Sequence, residues 1–230
     1  MPKGYLALVL HAHLPYVRHP EYDAFLEERW LFEAMTETYI PLIRFCNRLL
    51  EERVPFKLTF SISPSLLAML EDPLLQQRYR VHLAKSIELS EKELERTRDE
   101  PHFHSLAGMY RQFLGQARDI FFNQYQGRLV NAFKAFHQHG VMELITTTAT
   151  HGLLPLLAPK TKAVAAQIVT GLRYFENVFG FRPRGIWLPE CGYYPELETL
   201  LAQQGIRYFL LESHGLEYAS ALPRLSLIHI

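Results

Sequence analysis

Three short runs concentrate the side chains able to do chemistry. The first is His11-Ala12-His13-Leu14-Pro15-Tyr16. Residues two apart on an extended segment point to the same side. His11 and His13 are therefore placed either to ligate a metal together or to hydrogen-bond substrate hydroxyls, and the spacing leaves both open. The second run is Trp187-Leu188-Pro189-Glu190-Cys191-Gly192-Tyr193. It sets a carboxylate between an apolar strand-like segment and the helix-starting Pro195, with the large rings of Trp187 and Tyr193 on either side. A carboxylate held rigid near a sugar's anomeric carbon is the nucleophile of a retaining glycosidase, and Glu190 is the candidate for that role. The third run spans Gly140 to Pro155. Glu143 falls inside a strand pattern, as a buried orienting acid or one half of a salt bridge. His151 falls beyond it and is the better candidate for substrate contact.

These runs need a frame. Apolar runs without polar alternation, as in parallel strands buried on both faces, predict strands at Tyr5–Leu10, Phe56–Ile62, Val141–Thr147, Gly185–Leu188 and Ile206–Leu211. Helical spacing of Leu31, Met35, Tyr39, Leu42, Cys46 and Leu49 predicts a helix over Trp30–Leu50. Ser63-Pro64 opens another. Pro159–Phe179 closes at Gly180, and Pro195–Gln204 closes at Gly205. Alternating strands and helices imply βαβ units around a parallel sheet, an α/β architecture. The connection from Leu66 to His139 exceeds the ~30 residues of an ordinary βαβ unit. It carries charged helical stretches at Arg78–Arg98 and Ser105–His139, split near Pro101, read as a helical insertion plus one barrel helix. Polar residues gather just past the strand ends: His11 and His13, Ser61 and Ser63, His151, Glu190, then Glu212 and His214. In a parallel barrel that end is the active-site face.

Composition narrows the partners. Lysine plus arginine and aspartate plus glutamate number 24 each. That balance gives no electrostatic reason to expect nucleic acid or an anionic membrane. The two cysteines, Cys46 and Cys191, are too few for a disulfide scaffold or a structural zinc site. The first residues lack the cleavage site of a signal peptide, and no run approaches the ~20 apolar residues of a membrane span. A reducing, cytoplasmic location is expected.

The three runs resemble glycoside hydrolase family 57. His11–Tyr16 matches its His-x-His-x-Pro-Tyr element, Gly140–Pro155 its second region, and Trp187–Tyr193 the region carrying its nucleophile, with Glu190 in place. Glu28–Ala34 and Tyr39–Leu42 look most like its 1,4-α-glucan branching branch. The resemblance runs to about Leu222 and implies an incomplete (β/α)7 barrel with a helical insertion. It assigns 1–70 and 140–224 to the catalytic barrel and 71–139 to the insertion plus a barrel helix. Residues 225–230 are expected to be a non-native or truncated tail, so that the barrel stops before closure. The implied reaction cleaves an α-1,4-glucan such as amylose or a glycogen-like polysaccharide through a glycosyl-enzyme on Glu190, and transfers it to a 6-hydroxyl. α-Amylase or 4-α-glucanotransferase activity is the alternative within the family. His11, His13 and His151 would hold substrate hydroxyls, while Trp30, Trp187 and Tyr193 shape the pocket. No metal and no cofactor are expected. The family's aspartate acid/base matches no residue here and is expected beyond the chain end, leaving the chain alone inactive. Outside the family, His11, His13 and His214 suit a metal-dependent amidohydrolase-like enzyme, and a site without its acid/base suits a lectin-like module.

Overall fold

The computed structural model describes Gly4 and residues 6–218. In chain order the elements are β1 (Val9–Ala12), α1 (Glu28–Ala34), α2 (Ile40–Glu51), β2 (Leu58–Ile62), α3 (Pro64–Leu70), α4 (Pro73–Arg96), α5 (Pro101–Asp119), α6 (Val130–Gln138), β3 (Met142–Ile145), α7 (Leu154–Leu157), α8 (Thr161–Phe179), β4 (Gly185–Trp187), α9 (Leu197–Gln203), β5 (Tyr208–Leu210) and α10 (Ser213–Glu217). Two compact units result. One holds the residues up to His13, Leu58–Leu67 and those from Glu143 on; the other holds Leu14–Lys57 and Ala68–Met142.

The first unit contains the sheet. β1 and β2 pair in parallel with His11 opposite Ser61, and β3 lies on the far side of β2. β4 and β5 also pair in parallel. A parallel bridge between Thr146 and Ile186 links the two sets, so neighbours in the sheet follow chain order. The Thr146 hydroxyl donates to the Ile62 carbonyl at 2.9 Å, where the β3 strand has ended. α8 buries Val164, Ile168, Leu172, Phe175 and Phe179, recurring every three or four residues. The first three pack with Ile186 and Leu188 from the β4 region and Leu197, Leu201 and Ile206 from the α9 region. Each such side chain contributes about 1.5–3 kcal/mol on burial. Gly180, in the left-handed region at φ 84°, closes α8 as expected.

The second unit is helical. A π-turn at Met35–Tyr39 joins α1 to α2. Tyr79 of α4 is fully buried, its hydroxyl 3.0 Å from that of Thr36. Arg78 binds Glu28 and the carbonyls of His19 and Tyr22.

The structure corrects several expected boundaries. β1 does not run over Tyr5–Leu10, and that segment is not buried on both faces: Leu6 is 81% and Leu8 52% exposed, and Tyr5 lies outside the described residues. Pairing with β2, which begins at Leu58, sets the limits of the strand rather than hydrophobicity. His11 and Ser61 thus sit within strands rather than past their ends. Helix α4 starts at Pro73, not Arg78, because Asp72 accepts from the Leu75 amide at 3.0 Å and Pro73 occupies the first turn. The stretch from Ser105 to His139 is two helices, broken after a π-turn at Ile120–Gln124 by left-handed Gln126 and Gly127. The expected tail at 225–230 lies outside the described residues. Among the described residues no helix is long and apolar enough to cross a membrane.

Candidate active site

His11, His13, His151 and Trp187 come together in the first unit as a row of nearly parallel rings. The centroids of His11 and Trp187 are 4.5 Å apart at 7°, those of His13 and His151 3.9 Å apart at 18°, and those of His11 and His151 5.3 Å apart. His11 and His13 do share one side, 6.2 Å apart. Burial is the main force holding the pKa of His11 down, to about 3, and the nearby His151 and His13 add to it. Burial and then His13 bring His151 to about 4. His13 is lowered by burial against the opposing pull of the Glu190 carboxylate. The row is therefore neutral near pH 7, and its rings serve as hydrogen-bonding groups rather than cations.

Glu190 stands beside this row, next to His151. Its carboxylate Oε1 is 3.7 Å from His151 Nε2, and its side chain is 79% exposed. It sits on a tight turn over Pro189–Cys191, with φ 51° and ψ 29°. Cys191 and His151 are left-handed as well, at φ 52° and 56°. Left-handed backbone costs a non-glycine residue about 1–2 kcal/mol, and such residues gather at functional sites because surrounding structure imposes them. The constraints here are visible. The amides of Cys191 and Gly192 donate to the carbonyls of Leu188 and Pro189 at 2.8 and 2.9 Å. A Cβ on Gly192 would stand 2.6 Å from Leu153 and 3.1 Å from Pro155, so this turn rests directly on the segment after His151.

The segment carrying His151 is fixed from its other side. Thr146, Thr147 and Thr148 are fully buried. The Ala149 amide donates to the Gln167 carbonyl of α8 at 2.9 Å, and the Gln167 side chain binds Thr150 through its amide and hydroxyl.

The other candidates are placed differently. Tyr193 is 40% exposed, donates to Glu198 at 2.8 Å and stacks on Phe209. Trp30 belongs to the second unit, on α1, and is 49% exposed. Glu143 is half-buried on β3; its carboxylate, after burial, raises the pKa of the Tyr208 hydroxyl. Glu212 approaches Cys191 and, with Glu190, adds to the burial that raises that thiol's pKa. His214 is exposed on α10. Among the described residues no group of three or more His, Cys, Asp or Glu side chains is arranged to hold a metal ion. Sequence reasoning passed over Thr147 and Ser65, whose hydroxyls face His151 and His13. The run of three threonines at a strand end was a signal for the first; the second had none.

The model of glycosyl hydrolase family 57 matches residues 7–228. The chain belongs to glycosyl hydrolase family 57. Among family 57 relatives, the 1,4-α-glucan branching enzyme of Thermococcus kodakarensis is 34% identical over 235 residues, covering 95% of this chain and 34% of that protein. A probable 1,4-α-glucan branching enzyme of Mycobacterium tuberculosis is 28% identical, covering 96% and 44%. The α-amylase AmyC from Thermotoga maritima superposes with a TM-score of 0.90 at 46% identity, over 95% of this chain and 41% of that one. The family 57 branching enzyme from Pyrococcus horikoshii superposes at 0.87 and 35% identity, over 94% and 43%. The chain thus spans less than half the length of each of these relatives. The α/β architecture with parallel strands matches these solved structures.

Proposed function

We propose that this chain carries the nucleophile half of a retaining α-glucan site. Glu190 attacks the anomeric carbon, the α-1,4 bond breaks, and a glycosyl-enzyme forms on the carboxylate. The carrying observation is the placement of Glu190: a carboxylate on a left-handed turn, 3.7 Å from a neutral imidazole in a row of rings. His11 and His13 hydrogen-bond hydroxyls of the sugar being cleaved, His151 borders the same sugar while facing Glu190, and Trp187 gives its ring an apolar wall. Retaining chemistry also needs a carboxylic acid about 5–5.5 Å from the nucleophile. That group is proposed to be an aspartate on a later strand of an incomplete (β/α)7 barrel, in the part of the fold that the relatives have and this chain does not span. It protonates the leaving oxygen and then activates the acceptor. The acceptor is proposed to be a glucan 6-hydroxyl, making the activity 1,4-α-glucan branching in the cytoplasm, without metal or cofactor. Branching enzymes among the sequence relatives support this.

A second reading, α-amylase-type hydrolysis, is favoured by the 46% identity and 0.90 superposition with AmyC. One assay tests both. Amylose is incubated with the full-length protein and with its Glu190→Gln variant, and reducing ends and α-1,6 linkages are counted. Branching gives new α-1,6 linkages with little rise in reducing ends, while hydrolysis gives the reverse. The variant should lose at least about a thousandfold in rate, in line with the removal of other single catalytic groups. A variant keeping a tenth of the activity would show that Glu190 is not the nucleophile.

A further inference from the structure

Each imidazole in the row turns the same nitrogen toward a side-chain hydroxyl. Ser61 Oγ lies 2.9 Å from His11 Nδ1, Thr147 Oγ1 lies 3.2 Å from His151 Nδ1, and Ser65 Oγ lies 3.5 Å from His13 Nδ1. The opposite nitrogens are left for other work. His11 Nε2 is buried with no hydrogen-bond partner among the described residues, and His151 Nε2 faces Glu190.

The direction of two of these hydrogen bonds follows from counting protons. Ser61 and Thr147 are fully buried, and among the described residues the imidazole is the one partner each hydroxyl has. A hydroxyl has a single hydrogen to donate, and a neutral imidazole carries its proton on one nitrogen or the other. Were that proton on Nδ1, the ring would donate to the hydroxyl oxygen, and the hydroxyl's own hydrogen would be buried without an acceptor, at a cost. With the hydroxyl donating to Nδ1, the proton sits on Nε2, where that of His151 faces the Glu190 carboxylate and that of His11 is left for an acceptor that a bound ligand brings. The lowered pKa values of His11 and His151 agree with rings that stay neutral while this arrangement holds.

We propose that Ser61 and Thr147 are positioning residues whose hydroxyls lock His11 and His151 in the Nε2–H tautomer. Each ring then presents a donor of fixed direction: His151 to the Glu190 carboxylate, His11 to an oxygen of the bound ligand. Through His151, Thr147 aims a donor at one oxygen of Glu190, 3.7 Å away, and leaves the other for attack. This last consequence rests on Glu190 being the nucleophile; the tautomers do not.

The test reads the tautomers directly. Two-bond nitrogen–proton correlation spectra of the protein labelled with 15N-histidine distinguish Nε2–H from Nδ1–H rings, and they need no variant. At pH 7 His11 and His151 should both be Nε2–H, and an Nδ1–H ring at either position overturns the proposal. Thr147→Val keeps the shape and removes the donor. It should shift His151 toward the Nδ1–H form and lower kcat about tenfold, the scale of one lost hydrogen bond, with KM within about twofold. Thr147→Ser should restore both. Ser61→Ala should shift His11 and raise KM about tenfold by the same reasoning. Variants whose histidine spectra match the unsubstituted protein's would show that the hydroxyls merely fill space. Should Glu190→Gln remain active while both rings are Nε2–H, the nucleophile assignment fails and the tautomer assignment stands.

Discussion

Gly171→Ala and Gly108→Ala are the same substitution within two helices, and the structure predicts opposite signs. Alanine is favoured over glycine in a helix interior by about 0.8–1.0 kcal/mol. At Gly108, in α5, the added Cβ meets only the Leu94 side chain at 3.9 Å, an ordinary contact. That variant should gain up to about 1 kcal/mol, and its Tm should rise by about 2–4 °C for a protein of this size. At Gly171, in α8, the Cβ would stand 2.6 Å from the Thr147 carbonyl oxygen and 3.0 Å from the Ala149 nitrogen. Both are backbone atoms and cannot rotate away. α8 must back off from the segment it supports, although one turn earlier Gln167 clips that segment through its carbonyl and side chain. Overpacking of this kind costs about 1–3 kcal/mol, and weakening the Ala149–Gln167 hydrogen bond adds about 0.5–1.5 kcal/mol. Set against the propensity gain, the net loss is about 0.5–3.7 kcal/mol, a fall in Tm of roughly 1–15 °C. Thermal unfolding followed by circular dichroism measures both variants. A Gly171→Ala protein as stable as the original, or more so, would refute the idea that helix and loop are in backbone contact there.

Stability should fall as the pH drops from 6.5 toward 5. His11 and His151 have depressed native pKa values, about 3 and about 4, so the unfolded chain binds protons there before the native state does, and stability rises with pH in this window. After discounting for partial exposure, the two together should give a slope of about 1 kcal/mol per pH unit. Urea unfolding at several pH values reads it, and a flat profile would mean the rings protonate freely in the native state. Glu190→Gly should abolish glucan conversion yet leave Tm unchanged or up to about 2 °C higher, because glycine takes φ 51° without the left-handed penalty of about 1–2 kcal/mol and loses part of that gain to chain entropy; a marked fall in Tm would show the turn to be unstrained. Treating the full-length protein with a strong chelator should leave glucan conversion unchanged, whereas a loss that zinc restores would favour His11 and His13 as metal ligands.

Much of the frame was legible because parallel α/β units write themselves plainly. The apolar runs around Phe60, Leu144 and Ile186 are short, and Gly180 and Gly205 follow helices. The ends were less legible. Leu6 and Leu8 are as apolar as Val9, yet they lie exposed because pairing with β2 begins opposite Thr59. The histidine pair, His151, Trp187 and Glu190 could be picked out by residue type and by position near strand ends. What no spacing shows is the left-handed backbone at His151, Glu190 and Cys191, since residues that avoid that region leave no mark in sequence when tertiary contacts impose it. Nor does a sequence reveal that Ser61 pairs with His11, because that contact depends on strand register.

The candidate site residues His11, His13, Ser61, Ser65, Thr147, His151, Trp187 and Glu190 all fall in the sheet-bearing unit, whereas Leu14–Lys57 and Ala68–Met142 leave it and return. Each of these excursions is a closed loop from the standpoint of the sheet, its ends tied by pairing of β1 with β2 and by the adjacency of β2 and β3. The entropy of closing a flexible loop grows only with the logarithm of its length, so doubling one costs about 0.6 kcal/mol. The exposed connections between helices of that unit are thus places where length can change at small thermodynamic cost. Insertions there leave the strand register, and with it the spacing of His11 and Ser61, untouched.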